Sequence, residues 1–251
     1  MLGAIIGDII GSRFEFKNTD RTDFDLFTRD SRFTDDTVCT VGIADALLSK
    51  RSYRDSLVEW CDRYYGPYFG RAFLAWIDNP VPYNSFGNGS AMRVSPVAWA
   101  FDTLEEVQRA ARATAEVSHN HPEGVKGAVA IATAIFLLRK GADKGICKEI
   151  EAQFYDPNTE YKRGVFDTTC QGTVPVALRI MSESNGFEDA IRKAVAWGGD
   201  SDTIAAMVGS MAEVYYGIPE EIWQQAITYL PDDIYKVIER FYKAYNYGKE
   251  E

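Results

Sequence analysis

Two stretches far apart in the chain constrain the fold more than any other feature. "FTDDTVCTVGIADALL" (33–48) and "GGDSDTIAAMVGSMAEVYYG" (198–217) each set two carboxylates and a threonine at the head of a largely apolar run. A helix apolar on every side belongs in a protein interior, so both runs carry acids to the edge of a core. Asp and Thr at a helix start accept hydrogen bonds from free N–H groups, and one acid there suits the helix dipole. Taken singly, each stretch reads equally well as a cap or as a ligand set. Capping does not account for two acids, twice. Carboxylates gathered at buried helix heads repel one another and are expensive to bury without cations, and neither stretch contains Lys or Arg. Bound metal is the simplest partner. Asp and Thr offer only oxygen, so Mg²⁺, Mn²⁺ or Ca²⁺ fit better than Zn²⁺, and four carboxylates match the charge of two divalent ions. "DSDTIAAMVGSM" is not an EF-hand, because it lacks the loop glycine and the closing Glu. Nor is it a DxD element following an apolar strand, since "FEDAIRKAVAW" before it reads as a helix.

The rest of the chain supplies an all-α setting. Helical periodicity recurs roughly over 2–12, 37–49, 53–64, 71–78, 90–101, 104–116, 124–140, 143–153, 168–182, 187–197, 203–216 and 232–245. Alternating strands with hairpin turns are missing, connections are short, and no linker or fixed repeat appears. The expectation is one compact multi-helix domain over 1–251, long enough for a substantial core. A net charge of -10 argues against nonspecific nucleic-acid binding. The four cysteines are scattered without a CxxC, which suits free thiols in the cytoplasm. The N-terminal "MLGAIIGDII" is a poor signal peptide, and the apolar run 128–138 is too short to span a bilayer.

Other residues carry weaker signals. In "GAIIGDIIGSRFEF" the glycines at 3, 7 and 11 share one helix face and allow another helix to approach closely. Asp8 within that helix reads as a structural hydrogen-bonding group, and Glu15 as a solvated loop acid. The loops "RYYGPYFGRAF" and "NSFGNGSAMRVSP" each precede a helix whose N–H groups suit phosphate, yet neither matches a nucleotide fingerprint and each also reads as a turn. Tyr64, Tyr65, Tyr68, Phe69 and Phe86 are available to stack on a base or to pack the core. Both histidines, His119 and His121, fall in "VSHNHPEG". Spacing does not choose between a surface turn and a polar contact to a ligand.

Taken in order, "GAIIGDIIGSRFEF", "FTDDT", "GNGSAMRVSP", "SHNHPEGVKGA" and "GGDSDT" resemble the ADP-ribosylglycohydrolase family from Leu2 to about Gly217. The resemblance implies an all-α fold with two Mg²⁺ or Mn²⁺ ions in a cleft, and hydrolysis of an ADP-ribosyl group from its acceptor. It implies Thr34, Asp35 and Asp36 as metal ligands from one side, and Asp200, Asp202 and Thr203 from the other. Glu15 then sits over the metals against substrate or water, and Glu15 or Asp36 serves as the catalytic base or proton carrier. Gly66 to Gly70 corresponds to the diphosphate loop. Ser85, Phe86 and Asn88 correspond to the adenosine and distal-ribose side, and His119 to a histidine near the ADP-ribose. The implied partner is ADP-ribose or an ADP-ribosylated protein or small molecule, with nucleic acid only as a modified substrate. An N-glycosidic ADP-ribosyl-arginine bond is the leading expectation, with an O-linked adduct or non-catalytic ADP-ribose binding as alternatives.

Overall fold

Why acids sit at the edge of a core becomes clear from one helix pair. A computed structural model describes residues 1–245; the tail 246–251, which the sequence reading includes in the domain, lies outside the described residues. Fourteen helices form among them. The first seven are α1 (Leu2–Gly11), α2 (Asp35–Ser49), α3 (Tyr53–Arg63), α4 (Arg71–Asp78), α5 (Gly89–Met92), α6 (Val97–Ala100) and α7 (Leu104–Glu116). Then come α8 (Pro122–Arg139), α9 (Ile146–Phe154), α10 (Cys170–Glu183), α11 (Phe187–Trp197), α12 (Ser201–Tyr216), α13 (Glu220–Ile227) and α14 (Asp232–Ala244).

The helix α1 is buried along its whole length, and α12 from Ser201 to Glu213. They touch backbone to backbone. A Cβ on Gly3 would lie 2.1 Å from the Gly209 carbonyl oxygen, one on Gly7 2.1 Å from the Ala205 oxygen, and one on Gly11 2.5 Å from the Asp202 Cα. The glycine row therefore sets the separation of the two helices. On the other sides of α12 lie α8, α10 and α11. Ile204, Met207, Val208 and Met211 are at most 2% exposed there, each contributing roughly 1.5–3 kcal/mol by leaving water. The second acid-headed helix, α2, packs on α3 and α14 and touches α1 near its start.

Among the described residues there is no strand, only an isolated antiparallel bridge between Gly87 and Thr169. It ties the 84–89 loop to the segment before α10, with Asn88 N donating to the Thr168 oxygen at 2.8 Å and Cys170 N to the Phe86 oxygen at 2.9 Å. No helix among the described residues is long and apolar enough to cross a membrane.

Besides shifts of two or three residues at the starts of α8, α9 and α10, three departures from the sequence reading stand out. The expected helix 90–101 is two short ones, α5 and α6, because Pro96 has no N–H and disfavours helical geometry at Ser95. Helix α13 goes unread because only Ile222 and Ala226 are buried in its short span, too few for a period. Helices α2 and α12 begin two residues earlier than expected, at Asp35 and Ser201. That shift brings Asp35, Asp36 and Asp202 into first turns.

Candidate active site

The two acid-bearing helix heads meet. Thr203 Oγ1 donates to Asp36 Oδ2 at 3.2 Å, joining α12 to α2. Around this contact lie two groups of carboxylates whose oxygens are within 4.8 Å of one another: Asp8, Asp36 and Asp202, and Glu15, Asp200 and Asp202. Asp202 belongs to both.

At α2 capping is handled by other groups, whereas at α12 Asp202 Oδ1 accepts from Thr203 N at 3.0 Å. At α2 the Thr34 side chain accepts from Asp36 N. Asp8, reaching across from α1, accepts from Thr34 N at 2.9 Å, Thr34 Oγ1 at 2.7 Å, Thr37 N at 3.1 Å and Thr37 Oγ1 at 2.5 Å. The structural reading of Asp8 therefore describes its hydrogen bonds, while its position beside Asp36 and Asp202 was not legible in sequence. At α12 the Asp200 side chain makes no capping bond; it accepts from Asn88 Nδ2 at 2.6 Å instead. Gly198 and Gly199 lead into it with φ of 76° and 75°, a left-handed region that disfavours side chains. Asn18 clamps this turn, accepting from Gly199 N at 2.8 Å and donating to its oxygen at 3.1 Å.

No cationic side chain forms an ion pair with Asp8, Glu15, Asp35, Asp36, Asp200 or Asp202 among the described residues. Burial, then the neighbouring acids and Cys39, hold Asp36 and Asp35 well above the usual carboxylate range. Burial, then Asp200 and Asp36, does the same to Asp202. Glu15 is pushed up to about 7, first by burial and then by Asp200. Asp36 Oδ1 is buried with no hydrogen-bond partner. An all-oxygen cluster with an unpartnered buried oxygen and no internal cation fits hard divalent metal.

The cluster forms one end of a cavity of about 460 Å³, the size of a small-ligand site. Its walls place the remaining candidates. Glu15, Asp35, Asp36, Asp200, Asp202 and Thr203 line it, as do Gly70, Ser85, Asn88 and His119. Thr34, Gly66 and Phe86 do not. The Thr34 hydroxyl is committed to Asp8, Gly66 lies under the Tyr68 ring, and Phe86 is 45% exposed with its ring against His121. Asp35 faces the cavity but belongs to neither carboxylate group. His119 is buried, whereas His121 caps α8 by accepting from Glu123 N. Tyr83, Arg93, Phe16 and Phe166 also line the cavity. The sequence reading passed over them, although Arg93 stands inside the "GNGSAMRVSP" stretch it singled out.

An all-α scaffold here gathers unpaired acids from the heads of two buried helices at the end of a ligand-sized cavity, which defines a carboxylate-centred site whose oxygens could hold metal. The comparisons with known proteins give the family. The family model for ADP-ribosylglycohydrolase matches residues 1–250, and the chain belongs to that family, as an enzyme acting on ADP-ribosyl linkages. It is similar to the ADP-ribosylhydrolase ARH3 of Mus musculus, 24% identical over 90% of this chain and 85% of that protein. It is similar as well to the ADP-ribosylarginine hydrolase Tri1 of Pseudomonas putida (strain GB-1), 27% identical over 94% of this chain and 76% of that protein. A solved ADP-ribosylglycohydrolase-related protein complex shares the fold, with a TM-score of 0.75, 22% identity, and coverage of 96% of this chain and 95% of that one.

Proposed function

We propose that this chain is a divalent-metal-dependent hydrolase that cleaves the N-glycosidic bond of an ADP-ribosyl-arginine-type adduct. The observation that carries the reading is the pair of carboxylate groups sharing Asp202 at one end of the cavity. Two such groups suit two ions, Mg²⁺ or Mn²⁺, held by Asp36, Asp200 and Asp202 with Thr203 and Asp35 at the edge, and with Thr34 positioned through Asp8. Bound there, the ions would supply positive charge and fixed coordination for ribose hydroxyls and water.

The chain's own residues do the rest. At the start of α4, Gly70, Arg71 and Ala72 line the cavity, and the free N–H groups of a helix start suit diphosphate. Ser85, Asn88 and His119 hold the nucleoside end. Cleavage at the ribose C1″ develops positive charge on the sugar; the hydroxyl of water goes to C1″ and its proton to the departing acceptor nitrogen. Glu15, at the cavity edge beside Asp200 and Asp202, takes up or delivers the proton, with Asp36 as the other carboxylate placed to do so. The exposed rings of Phe16 and Phe166, 5.7 Å apart at the mouth, offer a planar cation such as guanidinium a face to stack on, next to acids. The similarity to an ADP-ribosylarginine hydrolase supports this acceptor. The similarity to ARH3, whose name states no acceptor, keeps an O-linked adduct as the second reading. A non-catalytic binder would have no use for the full set of acids. Four buried free thiols suit a reducing cytoplasm.

The test is release of ADP-ribose from arginine, serine and nucleobase adducts, each with Mg²⁺, with Mn²⁺ and with chelator. The arginine adduct is expected to be cleaved, and chelator to abolish cleavage. Cleavage of the serine adduct alone would transfer the reading to O-linked substrates, and cleavage of none would end it.

A further inference from the structure

His119 is held by an arrangement that settles which of its nitrogens carries the proton. The Ser118 hydroxyl lies 2.7 Å from His119 Nδ1, and it also receives a hydrogen bond from Arg93 Nη2 at 2.9 Å. A guanidinium donates and never accepts. Ser118 Oγ therefore accepts from Arg93 and has a single proton left to place. Ser118 is fully buried, and among the described residues its hydroxyl has Nδ1 as its only other hydrogen-bond partner. Were Nδ1 protonated, the serine would accept twice and its own proton would be buried without a partner, an arrangement proteins avoid.

We propose that Ser118 and Arg93 are positioning residues that lock His119 in one tautomer, its Nε2–H facing the cavity as a donor to an oxygen of the bound nucleotide. The other end of the ring is left open. A Cβ at Gly89 would stand 3.0 Å from Nε2 and one at Gly87 3.5 Å from it, so the two glycines leave that edge bare where side chains would cover it. Phe73 and Tyr83 flank the ring, with centroids 6.2 and 5.9 Å away. Arg93 is itself anchored by a second bond, to the Thr114 oxygen at 2.8 Å, and it forms no ion pair among the described residues. Burial and the Arg93 charge hold His119 well below its ordinary range, which keeps the ring neutral and the tautomer meaningful at physiological pH.

This inference rests on the ADP-ribose reading of the cavity. It is tested by imidazole nitrogen-15 spectra and by ADP-ribose, AMP and adenosine binding to the wild-type protein, Ser118→Ala and Ser118→Thr, with His121→Gln used to assign the resonances. The wild type is expected to show His119 as the neutral Nε2–H tautomer. Ser118→Ala is expected to lose that single signature and to bind ADP-ribose roughly three- to tenfold more weakly, the scale of one net hydrogen bond. Ser118→Thr, which keeps the hydroxyl, is expected to restore both. A loss shared by ADP-ribose and AMP but not adenosine assigns the acceptor to phosphate; a loss in all three assigns it to the ribose. An Nδ1–H signature in the wild type, or unchanged signature and affinity in Ser118→Ala, overturns the proposal. If the wild type binds no ADP-ribose, the functional reading fails while the spectra still decide the tautomer.

Discussion

The heads of α2 and α12 look alike in sequence and are built differently. At α2 the helix is capped by Thr34 and by Asp8 from another helix, so the local acids carry none of the structural load. At α12 the turn is made by two left-handed glycines and an asparagine clamp, and Asp200 turns away to Asn88. One head spends hydrogen bonds to free its acids and the other spends backbone conformation. At the junction Asp200 and Asp202 accept from Asn88 Nδ2 and Thr203 N, while Asp36 keeps Oδ1 without a partner, an oxygen that a ligand site requires and a cap does not.

The largest expected effect breaks what the two heads share. Asp202 lies in both carboxylate groups, so Asp202→Asn is expected to lower turnover by roughly 10²–10³-fold, the scale of losing one preorganised electrostatic group. The protein should remain folded, and without metal it should melt higher, because one of several repelling charges is gone. Wild-type turnover in this variant would reduce the α12 head to a helix start.

Next in size is the backbone that only α12 uses. Gly199→Ala puts a side chain at φ 75° with its Cβ 2.4 Å from the Val165 oxygen. Denaturant unfolding is expected to show a loss of about 2 kcal/mol or more. A loss below half of that would mean the turn is not what presents Asp200.

A smaller contrast sharpens the comparison directly. Thr34→Ala removes a real cap and is expected to lower stability by about 1–2 kcal/mol. Asp200→Asn removes no cap and keeps an oxygen for Asn88, so its metal-free stability should stay within about 0.5 kcal/mol of wild type or rise, while turnover collapses. Equal destabilisation by the two variants would erase the distinction.

The smallest effect is a slope. Glu15 rises from 4.5 to about 7 on folding, and Asp36 and Asp202 move the same way. Between those pH values the folded chain binds more protons than the unfolded one, so stability falls as pH rises through the window. Metal-free melting temperature should decline from about pH 4.5 to 7, and Mg²⁺ or Mn²⁺ should offset the decline by mass action. A flat profile without metal would show that the acids find other compensation.

The helices and the paired acids were legible because their signals are local: periodicity, and carboxylates where an apolar run starts. What escaped depends on contacts between distant segments. Asp8 looks like any acid in a helix until Thr34 and Thr37 are brought against it from another helix. Ser118 and Arg93 are unremarked in sequence because their meaning lies in the hydrogen bonds that run from Arg93 to Ser118 and on to His119. Tyr83, Phe16 and Phe166 become cavity walls only when three loops converge. The short helix α13 was lost for the opposite reason, since it buries only Ile222 and Ala226, and the break at Pro96 because the helices on either side have four residues each.

The glycine seam between α1 and α12 has a mechanical consequence. Where side chains separate two helices, rotamers and small voids act as springs, and the gap can breathe. Here the gap is closed by backbone on both sides, and Asp8 and Asp202 ride on opposite faces of the seam. Their separation is thus a fixed gauge. Under the proposed function, an ion that demands longer bonds and more ligands, as Ca²⁺ does relative to Mg²⁺, would have to wedge the helices apart with nothing compressible between them. Discrimination by size would then reside in a row of missing side chains, on residues that are not themselves ligands.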